Sequence, residues 1–148
     1  DVVINLSAVK SADYDYVKNE LEMLRYNVDL YGDCELRIII ETCLLTDEEK
    51  KIVAKLVAET KCDVVKTSTG FSSGGATMED VALLKSIVND EAKIKASGGI
   101  RNFEIAELMF AAGADIVGTS AGKQLLVSCE NEKNKQNNKF LFMSVLRM

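Results

Sequence analysis

The sequence contains no histidine. That absence excludes a Ser-His-Asp triad, and it leaves a structural zinc site short of ligands, because the four cysteines show no CxxC spacing. An excess of basic charge is missing too. The formal net charge of −5 argues against general attraction to nucleic acid or to an anionic membrane. No apolar run approaches the roughly 18–20 residues that a membrane span needs, and no signal-peptide pattern is visible. Cys34, Cys43, Cys62 and Cys129 therefore read as free thiols in a reducing cytosol.

What is present bounds the class. A length of 148 residues suits one core and is short for two domains, and 47% hydrophobic with 28% charged residues reads as soluble and globular. The first residue is Asp1, already inside an apolar strand pattern. The expectation is a processed or truncated piece of something longer.

Short apolar runs recur at Val2–Ile4, Leu36–Ile40, Val64–Val65, Ile94–Ala96 and Ile116–Val117. Each ends in small, polar or charged residues. Helical patterns separate them: Leu21, Leu24 and Val28 space one face, and Ile52, Val53, Leu56 and Val57 space another. Thr46 with Glu49 forms a capping-box signature, Thr77 with Asp80 a weaker one, and Asn102 can cap a helix that stops at Gly113. Repeated βαβ units with continuously apolar strands imply a parallel sheet covered by helices. Both an open doubly wound sheet and a (β/α)8 barrel fit this pattern. Glycine-rich turns after the last two strands favour the barrel, since barrels commonly hold phosphate there. The expected organisation is a barrel portion over residues 1–127 and a polar, mobile tail over 128–148, rich in lysine and asparagine.

Lys66 and Lys95 each close an apolar strand, and the two strands are consecutive. One reading is that both amines snorkel to water. The other is amine catalysis. An ordinary lysine is protonated at neutral pH, but partial desolvation and a neighbouring ammonium both penalise the charged form and release free amine. Lysine without histidine points to Schiff-base carbonyl chemistry.

Five segments stand in register: "DVVIN" (1–5), "IIIETCLLTDEEK" (38–50), "DVVKTSTGFSSGGAT" (63–77), "IKASGGIR" (94–101) and "GADIVGTSAG" (113–122). Together they resemble consecutive motifs of the deoxyribose-phosphate aldolases, over roughly residues 1–127. The resemblance implies the last five units of a (β/α)8 barrel, strands 4–8. It implies a class I aldolase, needing no metal or other cofactor, that reversibly cleaves 2-deoxy-D-ribose 5-phosphate to acetaldehyde and D-glyceraldehyde 3-phosphate. By position, Lys66 resembles the Schiff-base lysine, Lys95 the lysine that perturbs it and relays protons, and Asp1 the catalytic aspartate. Gly70, Gly98, Gly99 and Ser120 match phosphate-holding segments, and Thr69 is a hydrogen-bonding partner for substrate hydroxyls. Partners are then a small phosphorylated sugar and a second copy of the chain.

Two departures accompany the resemblance. Arg37 stands where many members carry a lysine, and a guanidinium cannot donate a proton at neutral pH. The family's first three units are absent from the sequence. The alternatives to an active aldolase are therefore a truncated, inactive product and a non-catalytic phosphate-binding module.

Overall fold

The computed structural model describes residues 1–131. Five strands, β1 (Val2–Val3), β2 (Arg37–Ile39), β3 (Val64–Lys66), β4 (Lys93–Ser97) and β5 (Ile116–Gly118), alternate with helices. Helices α1 (Leu6–Lys10) and α2 (Tyr14–Asp29) follow β1, and a 3-10 turn (Thr42–Leu44) precedes α3 (Asp47–Glu59). Helix α4 (Met78–Val88) joins β3 to β4, and α5 (Phe103–Ala111) joins β4 to β5. A further helix occupies residues 122–131, across the expected boundary at 127, and the rest of the expected tail lies outside the described residues.

All strand pairs are parallel, in the order β1-β2-β3-β4-β5. That order separates the two architectures left open by the sequence. A doubly wound sheet reverses its strand order at a switch point, whereas a barrel adds each strand beside the last. The fold is five consecutive units of a (β/α)8 barrel. Among the described residues, β1 and β5 each have a neighbour on one side only.

Register assigns the two faces. Ile38, Val65 and Ile94 lie in one row and join Ile40 and Ala96 in the core beneath the helices, with Val53, Val57, Val81 and Leu84 opposite. The alternate positions, Arg37, Ile39, Lys66, Lys95 and Ser97, turn to the concave face, because successive strand residues point to opposite sides.

Local expectations hold in most places. Thr46 and Glu49 make the full capping box, Thr77 Oγ1 accepts from the Asp80 amide, and Asn102 accepts from the Ile105 amide. Asp80 itself does not reach back to the cap. Its carboxylate accepts a 2.6 Å hydrogen bond from Lys50 on α3, so it ties two helices together. One expected core position is wrong: Ile52 is among the exposed large hydrophobics, whereas Val53 and Val57 are fully buried. The buried stripe of α3 is completed instead by Ala54, Ala58 and the paired Lys50.

Candidate active site

The register Lys66↔Lys95 puts both lysines in one row of the concave face. Lys66 closes β3 as expected, but Lys95 is the third residue of the five-residue β4 and not its end. Neither amine snorkels to water, for the two side chains are only 11% and 12% exposed. Both turn to the same atom. Asp1, just before β1, accepts from Lys66 Nζ at 2.8 Å and from Lys95 Nζ at 3.1 Å, through Oδ2 in each case. The Arg37 guanidinium lies 3.8 Å from the other Asp1 oxygen. One carboxylate thus faces three cations.

That imbalance explains the electrostatics. Burial pushes the Lys66 amine below the usual lysine range, Arg37 pushes it further, and Glu41 opposes them. Lys95 is lowered by burial, then by Lys66 and Arg37, with Glu35 opposing. Asp1 favours the charged forms, but with Arg37 held by Glu35 at 2.6 Å it still serves two lysines with one charge. Repulsion between the two ammonium groups is mutual, so the pair gives up its first proton more readily than either lysine alone. A lysine held in this way gives up its proton more readily than an exposed one.

A cleft of about 370 Å³ opens beside the pair. Lys66, Thr69, Gly70, Lys95, Gly98, Gly99 and Ser120 all line it, so every residue singled out from the sequence except Asp1 borders one cavity. Gly98 has φ +88°, and a Cβ there would come within 2.9 Å of the Gly75 Cα. The two glycine loops touch, which only residues without side chains allow. Helix 122–131 begins just beyond Ser120, and its free amide groups favour negative charge nearby.

Thr69 lines the cleft as expected, but its hydroxyl is already engaged within the protein. Its hydroxyl donates to Glu41 Oε2 at 2.6 Å and accepts from the Phe71 amide at 3.1 Å. The single hydroxyl proton is therefore already committed within the protein. Sequence reasoning also passed over Glu41, Ser97 and Gly118. Glu41 ends an apolar run in the same manner as Lys66, a pattern that could have marked it. Gly118 carries no such signal: a side chain there would collide with Ser97 Oγ and press on Lys95 Cε at 3.3 Å, which only the folded register reveals.

No family model matches the chain. Individual proteins do. A deoxyribose-phosphate aldolase from Thermoanaerobacter sp. (strain X514) is 49% identical over 126 residues, covering 85% of this chain and 56% of the relative. The chain is similar to the C-terminal part of the deoxyribose-phosphate aldolases. The aldolase from Staphylococcus carnosus is 46% identical over 134 residues, covering 90% of this chain and 60% of its own length. Among solved structures, one described as "QR15, an Aldolase" superposes with a TM-score of 0.81 at 41% identity, over 92% of this chain and 59% of that one. The deoxyribose-phosphate aldolase from Aeropyrum pernix, described as tetrameric, gives 0.72 at 33% identity, over 77% and 49%. The chain therefore spans little more than half the length of the curated aldolases it matches.

Among the described residues, no group of three histidine, cysteine, aspartate or glutamate side chains could hold a metal ion. No described helix is long and apolar enough to cross a membrane.

Proposed function

We propose that this chain carries the catalytic lysine pair and the anion loops of a deoxyribose-phosphate aldolase. The single observation behind the reading is the sharing of Asp1 Oδ2 by the buried Lys66 and the largely covered Lys95 at the wall of one cleft. Lys66, as free amine, attacks C1 of the open-chain sugar phosphate. The carbinolamine loses water to give an iminium. A base takes the proton of the C3 hydroxyl, the C2–C3 bond breaks, and its electron pair flows to the iminium nitrogen as an enamine. D-Glyceraldehyde 3-phosphate departs, the enamine carbon takes a proton, and water releases acetaldehyde. Lys95 and Asp1 supply and accept these protons, because Asp1 touches Lys66 and links it to Lys95, and the two differ in charge. Gly70, Gly98, Gly99 and Ser120 hold the phosphate with backbone and hydroxyl donors, which an acidic protein needs locally.

A complete site includes three further βα units, closing the sheet from β5 back to β1. Self-association and a reducing, cytosolic setting belong to the same reading, given four free thiols and two strand edges with no neighbour among the described residues. The test is covalent trapping. In the barrel completed to eight strands, acetaldehyde with borohydride should add mass at Lys66, located by peptide mapping. An adduct on Lys95 instead would reverse the assignment of the two lysines. No adduct on either would remove the aldolase reading and leave a phosphate-binding module, to be checked by titration with inorganic phosphate.

A further inference from the structure

Glu41 is 4% exposed, and among the described residues its carboxylate has no salt-bridge partner within 4.0 Å. An ionised carboxylate is expensive to bury unless something holds it. Its direct partners are the two donors of Thr69, the amide at 3.2 Å and the hydroxyl at 2.6 Å, with the Cys43 thiol 3.9 Å away. The backbone of Glu41 is also costly, with φ 51° and ψ 65° in the left-handed region. A non-glycine residue there costs on the order of 1–3 kcal/mol and persists only when its surroundings impose it. Two costs at one residue, directly beside the cleft, call for a function.

The geometry supplies one. Glu41 stands at the end of β2, and Thr69 stands three residues past Lys66 on the loop that lines the cleft. Through Thr69 the carboxylate fixes the start of that loop, and Thr69 in turn receives the Phe71 amide. Its chain neighbours bracket Lys66 across the sheet, the Ile40 amide donating to the Lys66 carbonyl at 3.1 Å and the Thr42 amide to the Thr67 carbonyl at 2.9 Å. We propose that Glu41 is a positioning residue of the lysine site, holding the Thr69–Phe71 loop against the cleft. This rests on the aldolase reading above.

The charged groups facing Lys66 are Asp1, Arg37, Lys95 and Glu41, and the last of these favours the ammonium form. Glu41→Gln keeps the size of the side chain and an oxygen acceptor for Thr69, but removes the charge. The Lys66 amine then becomes easier to deprotonate, and its reactivity should extend to lower pH. Thr69→Val removes the hydroxyl and leaves the charge, so it loosens the loop without moving the titration.

The experiment labels the chain, completed to eight strands, with acetaldehyde and cyanoborohydride across a pH series and reads the adduct at Lys66 by peptide mapping. In Glu41→Gln the midpoint of labelling should move to lower pH, because a charge that favours the ammonium is gone. In Thr69→Val it should stay in place while the Phe71 region gains hydrogen exchange. An unmoved or raised midpoint in Glu41→Gln overturns the proposal, as does an equal shift in Thr69→Val. Absence of any Lys66 adduct in the unsubstituted chain is a separate outcome: it removes the aldolase reading and this proposal with it.

Discussion

Lys66 and Lys95 are register partners on adjacent parallel strands, and one oxygen of Asp1 lies 2.8 Å from the first amine and 3.1 Å from the second. Neighbouring strands in a sheet run under 5 Å apart, so two ammonium groups in one row must repel. The carboxylate lets them coexist but does not cancel both. Hence the pair is poised to lose a proton.

Replacing the amine should therefore end the chemistry. In the barrel completed to eight strands, Lys66→Arg is expected to lose acetaldehyde release by at least about 1,000-fold, since a guanidinium stays protonated and forms no imine. Borohydride trapping at position 66 should vanish as well. Chelators should leave the unsubstituted enzyme unchanged, and sensitivity to them would contradict a lysine mechanism.

Removing the second lysine tests the electrostatics in the opposite direction from Glu41→Gln. Lys95→Leu deletes a cation beside Lys66, so the Lys66 ammonium becomes easier to keep. The acid limb of the pH–rate profile should move to higher pH, with a rate loss of about 100-fold or more from the missing proton relay. A near-normal rate with an unshifted limb would reduce Lys95 to a packed strand residue.

Gly118 should tolerate nothing larger. A Cβ at this position meets Ser97 Oγ and approaches Lys95 Cε at 3.3 Å. Gly118→Ala is expected to cost about 1–3 kcal/mol, the usual penalty for overpacking a rigid site. Chemical denaturation measures it, and an unchanged midpoint would mean that β5 shifts freely.

Lys50 and Asp80 join α3 to α4 through a 2.6 Å contact, with each side chain only 11% exposed. Burial lowers the Lys50 pKa, but hydrogen bonds to Asp80 and Asp47 outweigh it and hold the pKa above the ordinary value. A raised lysine pKa stabilises the fold fully below the unfolded value, about 10.4, and loses that contribution as pH rises through the folded one. Lys50→Met should cost about 3 kcal/mol at pH 7 by stranding Asp80, and the gap to the unsubstituted chain should narrow both above the lysine range and in acid, where a stranded carboxylate can take up a proton. A gap that stays constant from acid to beyond the lysine range would sink this assignment.

The 148-residue chain by itself presents two strand edges among its described residues. Unpaired edges recruit other strands. Light scattering on the purified chain should show dimers or larger species, with little acetaldehyde released from deoxyribose 5-phosphate. Adding the three missing units in one polypeptide should restore turnover. A stable monomer with ordinary turnover would contradict both expectations.

Much of this molecule was written locally. Period-two and period-3.6 patterns, Thr46 and Asn102 as caps, and polar residues at strand ends suffice to read five βα units, because those signals act over a few residues. Lys66 and the glycine turns were legible for the same reason. The concave site was not, since it depends on register. Only strand order separates a barrel from a doubly wound sheet, and only register brings Asp1 to residues 65 and 94 positions away in the chain. Tertiary packing also decided the exceptions. Ile52 faces out because α3 lies with Val53 and Val57 toward the sheet, and Thr69 serves Glu41 before any ligand because β2 ends beside its loop. A sequence carries the propensity of each segment, whereas charge pairing and burial arise between segments and exist only once they have packed.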